Sequence, residues 1–297
     1  MDQLKTELSQ VLGEPLSRIE RISEQPYAHL FSLYDAQGHA VPLLAKGFLT
    51  AGIARQEAYK LSVLTHEGDV RMPAVYGLMP TQMPPYKEVL LIERLRGVPV
   101  EVPTRNPQRW ETLKDQIVEG LLAWHRVDSH RCVGTVDSTQ ENNWRNWYQQ
   151  RVEVLWSTLS HVQAPVLTHV DRELLYRLRA ALPRLFQGFD DNAVLVHGNL
   201  TLRSMMKDPR SDQLLAMVNP GIMLWAPREY DLFRLCEEGM SGELLFAYLQ
   251  RAPVSEAFVA RRWLYVLWEA VARLLHTGRL DHAHFSHAAR QLLPWLD

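Results

Sequence analysis

The chain has only two cysteines in 297 residues, Cys132 and Cys236. Neither carries metal-ligand spacing and together they offer no disulfide framework, so a reducing cytosol is the simplest setting. Charge of either sign is not in excess. The formal net charge is −2, which gives no electrostatic case for nucleic acid or an anionic membrane as partner. No apolar run reaches the roughly 18 residues needed to span a bilayer. The opening Met1-Asp-Gln-Leu-Lys-Thr-Glu lacks the basic start and apolar stretch of a signal peptide. The expected location is therefore cytoplasmic. Repeats, low-complexity tracts and long linkers are also missing, and the length suits one large domain or two lobes with ample core. With 46% hydrophobic and 22% charged residues, the composition is that of an ordinary globular protein.

What is present is a pair of short apolar runs that stop at polar residues. Val194-Leu-Val-His197-Gly198-Asn199-Leu200 is followed by Leu214-Leu-Ala-Met-Val218-Asn219-Pro220. Gly198 permits a sharp turn after the first run, and Pro220 fixes the backbone after Asn219. A buried strand that ends on a polar side chain is a common way to hold chemistry at a rigid position. Two such ends close in sequence suggest one site, although the pattern also fits a plain β-hairpin with polar tips.

Upstream, Leu4, Leu8, Val11 and Leu12 have helical spacing. Strands are expected over Tyr27–Tyr34 and Val41–Phe48, joined by a turn at Asp35–Gly38. Lys46 shares a strand face with Leu44 and Phe48, and Glu57 lies on the apolar face of a helix expected over 51–66. Such a lysine needs a route to solvent or an anionic partner. An ion pair with Glu57 fits; so does a snorkelling Lys46 beside an exposed Glu57. A further strand is expected over Glu88–Glu93, and Gly97, Pro99 and Pro103 cluster just beyond it, placing a domain boundary near Arg94 to Val100. Helices follow: one opened by Asn106 as N-cap and Pro107 in the first turn, one from Trp144, one over 172–186, and one capped by Ser255. His276, His282, His284 and His287 lack a ligand pattern and read as a solvated face.

The run His197-Gly-Asn-Leu200, with Ser204, Asn219-Pro220 and Arg228-Glu-Tyr-Asp231-Leu behind it, resembles the catalytic core of the aminoglycoside phosphotransferase, choline kinase and fructosamine kinase superfamily. That family shows His-Gly-Asp-Leu, an Asn five residues after the Asp, and a strand ending in Asp. The resemblance implies an α+β fold of the two-lobed protein-kinase type, with a small antiparallel-sheet lobe and a larger, mostly helical lobe. The lobes would be residues 1–96 and 97–297, with the catalytic-loop-like segment at 194–233. It puts Asn199 at the catalytic Asp position, beside His197. Ser204 and Asn219 fall at the metal-ligand positions, and Asp231 at the acid that begins a helix behind the loop. Lys46 and Glu57 resemble the strand lysine and helix glutamate that hold ATP phosphates. Arg203 adds positive charge where the family binds a cation. The Trp-containing helix from Trp144 resembles one that walls the acceptor pocket in fructosamine-kinase-like members, and core filling explains its tryptophans equally well.

The departures from the family pattern bear on chemistry. Asn199 accepts hydrogen bonds and cannot take up a proton, and general-base catalysis is commonly worth about 10²–10⁴ in rate. Mg²⁺ prefers one or two carboxylates with phosphate oxygens, and neither Ser204 nor Asn219 supplies one. Asp208 and Asp212, in the intervening loop, are expected to point to solvent. The segment Ser23–His29, where the family has a glycine-containing phosphate loop, has no glycine and carries Glu24. The expected function is that of a degenerate phosphotransferase, a pseudokinase that binds ATP or a small hydroxylated ligand without normal Mg²⁺-dependent transfer. The alternatives are an active ATP-dependent small-molecule kinase and a non-catalytic partner-binding scaffold; the sequence names no protein partner.

Overall fold

A computed structural model describes residues 1–25, 27–162 and 166–296. In chain order the helices are α1 (Asp2–Leu12), α2 (Ile53–Glu67), α3 (Pro107–Trp124), α4 (Trp144–His161), α5 (His169–Leu185), α6 (Glu229–Leu232), α7 (Met240–Arg251), α8 (Phe258–Thr277) and α9 (His282–Leu292). The strands are β1 (Leu16–Glu24), β2 (Ala28–Asp35), β3 (Ala40–Phe48), β4 (Val75–Pro80), β5 (Glu88–Glu93), β6 (Val98–Pro99), β7 (Cys132–Thr135), β8 (Gln140–Glu141), β9 (Val194–Leu195), β10 (Met205–Lys207), β11 (Leu214–Met217) and β12 (Met223–Ala226). Among the described residues no helix is long and apolar enough to cross a membrane.

The chain forms two compact units, one of Met1–Trp110 with Arg203–Ile222, the other of Glu111–Leu202 with Met223–Asp297. The first is built on an antiparallel sheet of order β1-β2-β3-β5-β4. Period-2 alternation sends Phe31, Leu33, Ala45, Val89 and Leu91 to one face, where Leu4 and Leu8 of α1 cover them. A second small sheet, β11-β10-β6, completes this unit. It differs from the expected boundary at 96–97: residues 97–110 and 203–222 pack with the N-terminal sheet rather than with the helices. The cause is pairing, since Val98 and Pro99 lie against Lys207 and Met206, and Val100 N–H donates to the Met205 carbonyl at 2.9 Å. Gly97 is required here, because a Cβ would meet Leu215 at 2.8 Å and the Lys207 carbonyl at 3.0 Å.

The second unit is mostly helical around a sheet of order β8-β7-β12-β9. Buried α8 forms its centre, with Trp263, Leu264, Tyr265, Leu267 and Trp268 all inside. Trp144 and Trp147 of α4 stack at 5.2 Å and both are buried. Trp144 Nε1–H donates to Tyr265 Oη at 3.0 Å. Of the two readings of these tryptophans, core filling is the one that the packing favours. Asn106 caps α3 as expected, accepting the Arg109 N–H at 2.9 Å. Ser255 does not cap α8. Its backbone carbonyl accepts from Phe258 N at 2.9 Å, and the helix starts from Ala257 without a side-chain cap.

Because Leu8 is fully buried against the β1-β2-β3-β5-β4 sheet of the first unit, Leu8→Ala should lower stability by about 2–5 kcal/mol, read from denaturant unfolding. A loss well under 1 kcal/mol would mean that α1 does not contribute to closing the sheet core.

Candidate functional site

The first unit brings three of the expected residues together. Lys46 enters from β3, paired with Leu30 and Leu90 on the flanking strands. Its Nζ donates to both Glu57 oxygens, at 2.7 and 2.8 Å, and approaches Asn219 Oδ1 at 3.4 Å. Lys46 is 1% and Glu57 8% exposed, so this is a buried ion pair and not a snorkelling lysine beside a surface acid. The Phe48 ring lies 5.4 Å from the ammonium. Asn219 reaches this point because its backbone turns left-handed (φ 54°) where β11 ends, a conformation that Asn and Asp tolerate better than other side chains with a Cβ. Ser204 is buried one strand away, and its carbonyl accepts the Val218 N–H at 2.7 Å.

Arg203 goes elsewhere. Its side chain is mostly exposed and its Nε donates to Glu101 at 2.8 Å. Asp212 was expected in solvent and is instead buried, held by Lys207 at 2.9 Å and Arg109 at 3.3 Å. The hydrogen bond from Lys207 holds its carboxyl below the usual value. Asp208 accepts from the amides of Arg210 and Ser211 at 2.9 and 2.7 Å, folding its own turn. Asp208 is therefore committed to its own turn, and Asp212 to Lys207 and Arg109. The β1–β2 connection is short, with Gln25 N–H donating to the Ala28 carbonyl at 2.8 Å. Of the segment expected there, Pro26 lies outside the described residues.

The second unit holds the loop that carries His197 and Asn199. β9 pairs with β12, and Val196 N–H donates to the Leu224 carbonyl at 3.1 Å, so the strand ends on a fixed support. Behind it, Asp231 of α6 is completely buried. Its two oxygens accept the consecutive amides of His197 and Gly198 at 2.7 and 2.6 Å. Gly198 takes φ 75°, the left-handed turn that lets both N–H groups face one carboxylate. His125 Nε2 lies 3.3 Å from Asp231, and its Nδ1 2.7 Å from Tyr248 Oη. An ionised carboxylate only accepts, so the His125 ring donates from Nε2. Burial would raise the Asp231 carboxyl. The hydrogen bond from His125, the fields of His125 and His197, and the Gly198 amide outweigh it and hold the group below its usual value.

The ring of His197, expected among the catalytic groups, is fully buried and stacked on Trp124 at 6.0 Å. Asn199 is half-buried. Glu229, two residues before Asp231 in α6, is anchored on α8. Arg261 Nε and one terminal nitrogen donate to it at 2.9 Å, and Tyr265 Oη–H donates to it as well. Glu269 is held in the same way by Arg151 at 2.8 Å and Tyr230 at 2.7 Å.

Comparison with known proteins follows these features. Residues 46–287 match the family described as phosphotransferase enzyme family, APH. The chain belongs to that family. It is 58% identical over 296 residues to the uncharacterized protein YcbJ of Escherichia coli K12 and to that of Shigella flexneri, covering each chain completely. Among solved structures it is similar to a putative fructosamine-3-kinase from Haemophilus somnus, with TM-score 0.74, 15% identity, and coverage of 100% and 97%. It is similar also to the aminoglycoside phosphotransferase APH(4)-Ia in ternary complex with ADP and hygromycin B, with TM-score 0.73, 13% identity, and coverage of 99% and 98%. At these identities the structural likeness establishes the protein-kinase-like fold.

Two outcomes test the site's construction. Glu57→Gln leaves Lys46 buried without its carboxylate and should cost about 3–5 kcal/mol, measured by unfolding; a neutral result would mean that the lysine reaches solvent. Asp231→Asn should cost a similar amount and speed hydrogen exchange at the His197 and Gly198 amides. Its folded value lies below the usual 3.8. The stabilisation is therefore complete above that pH and lost as pH falls through the folded value. Wild type should lose stability below about pH 4 more steeply than Asp231→Asn; parallel profiles would exclude this linkage.

Proposed function

We propose that this family member is a degenerate phosphotransferase, which binds a nucleotide or small hydroxylated ligand without ordinary Mg²⁺-dependent transfer. The observation that carries the reading is the environment of Asn219. At the position where the family has a metal-binding carboxylate, a neutral amide points its oxygen to within 3.4 Å of the Lys46 ammonium. Such an oxygen has no net charge to draw Mg²⁺ against that cation. Ser204 adds a hydroxyl and no charge. Asp208 and Asp212, the nearest acids in the chain between them, are engaged in their own loop.

Nucleotide binding is supported by the Lys46–Glu57 pair, which presents a fixed ammonium of the kind that meets phosphates in kinase-like folds. The structure of the aminoglycoside phosphotransferase with ADP shows that a relative of this fold holds a nucleotide. Transfer is disfavoured separately at Asn199, which can orient a hydroxyl but cannot accept its proton. A second reading, a partner-binding scaffold, draws on the short β1–β2 connection, since a glycine-free hairpin suits phosphate poorly.

Calorimetric titration of ATP with and without Mg²⁺ tests the proposal. The expected result is binding whose affinity changes less than about threefold with metal. The triple variant Asn199→Asp, Ser204→Asn, Asn219→Asp should gain Mg²⁺-dependent affinity of tenfold or more. Strong Mg²⁺ dependence in the wild type would sink the degenerate reading in favour of an active kinase. The absence of ATP binding in both proteins would favour the scaffold.

A further inference from the structure

The second unit contains a cleft of about 260 Å³ that begins at Thr201, two residues beyond Asn199, and runs between α8 and the start of α9. This volume lies just under the range of about 300–1,000 Å³ for drug-sized ligands, and so suits a small metabolite. Trp263 and Phe233 supply aromatic wall, and Arg234, Arg273 and Arg279 supply charge. The fold delivers the arginines deliberately. Helix α8 carries Arg273 and stops at Gly278, whose left-handed φ of 69° turns the chain. Arg279 follows that turn, and its N–H donates to Thr277 Oγ1 at 3.1 Å.

The cleft has acids too, and their engagements decide its sign. Glu269 already accepts from Arg151, Tyr230 and Arg234, at 2.8, 2.7 and 3.4 Å. Asp281 caps α9, accepting the His284 N–H at 3.0 Å. Glu237 is exposed. On the cationic side, Arg273 and Arg279 are exposed, whereas Arg234 meets Glu269 at 3.4 Å. Arg234 Nε is buried without a hydrogen-bond partner, a donor for which an incoming acceptor would remove a desolvation penalty. Two exposed arginines and the buried Arg234 Nε thus stand beside the exposed carboxylate of Glu237, around an aromatic surface.

We propose that this cleft binds a small hydroxylated anion, a carboxylate- or phosphate-bearing compound, through Arg234, Arg273 and Arg279 with its apolar face against Trp263. Arginine suits both anions, because its planar fork of donors matches carboxylate and phosphate oxygens in pairs. This takes up the small-ligand half of the proposed function and rests on that reading for the hydroxyl group. The anion preference rests on the arginines alone.

The test is calorimetric titration of the full chain with gluconate and with glucose 6-phosphate, using glucose and glucosamine as neutral and cationic controls. At least one anion should bind tenfold or more tightly than either control, and which of the two wins assigns carboxylate or phosphate. The double variant Arg273→Gln, Arg279→Gln changes only exposed positions and should keep its unfolding midpoint while losing that preference tenfold or more. Glucosamine binding as tightly as the anions, anion binding unchanged in the variant, or no binding of either anion would each overturn the proposal. ATP titrated into the same samples separates the two claims. ATP binding without anion binding removes only the cleft assignment; anion binding without ATP binding removes only the nucleotide reading.

Discussion

One carboxylate fixes the loop on which the rest depends. Asp231 accepts two consecutive backbone amides, those of His197 and Gly198. Consecutive N–H groups converge on one acceptor only when the backbone turns sharply, and the left-handed Gly198 provides the turn. The carboxylate therefore specifies a backbone conformation, and through it the direction in which Asn199 leaves the strand. Asp231 in turn needs support, being buried and charged. His125 supplies it, oriented by Tyr248 from α7. Two residues before Asp231 in the chain, Glu229 ties the same short helix to Arg261 and Tyr265 of α8. A helix of four residues has little stability of its own; here it is pinned by two buried acids in successive contacts.

The other unit uses the opposite arrangement, a buried cation held by one acid. Lys46 has Glu57 as its counter-ion and the amide of Asn219 as an additional acceptor. With a single carboxylate the local charge balances. A second carboxylate at position 219 would leave a net negative charge in a buried place unless a cation entered. The amide thus adds an acceptor to the Lys46–Glu57 pair without changing its charge balance.

Much of the first unit was legible because period and burial coincide. Strands β2, β3 and β5 are apolar runs of strand length and helices α1 and α2 carry apolar residues at helical spacing, and Lys46 and Glu57 stood out as charges on apolar faces. Strand β1 escaped notice because it is an edge strand with polar residues on most positions, so its hydrophobic signal is weak. Strands β7, β8 and β12 span two to four residues each, too short for any period to register. The role of Asp231 was legible only through family likeness, since its partners lie 33 and 34 residues upstream. Glu229, Arg261 and Tyr265 carried no readable sign of meeting. Nor did the cleft: Arg273 and Arg279 are brought to one wall by the turn at Gly278, and nothing in their spacing distinguishes them from solvated surface.

The separation between frame and chemistry has a physical origin. Asn has nearly the shape of Asp and shares its tolerance for left-handed backbone, so Asn219 can close β11 at φ 54° as an acid would. Asn199 likewise keeps a side-chain oxygen at the end of its strand. What each replacement removes is charge, and charge is what proton abstraction and Mg²⁺ binding require. Asp231 is a different case. Its charge is used within the fold, to balance buried donors, and an amide there would both weaken those bonds and leave an NH₂ group facing donors. The chain thus keeps at Asp231 an acid whose charge maintains structure, and carries neutral amides at Asn199 and Asn219. Loss of the Asp231 carboxylate would cost the fold its loop, because that charge holds the His197 and Gly198 amides.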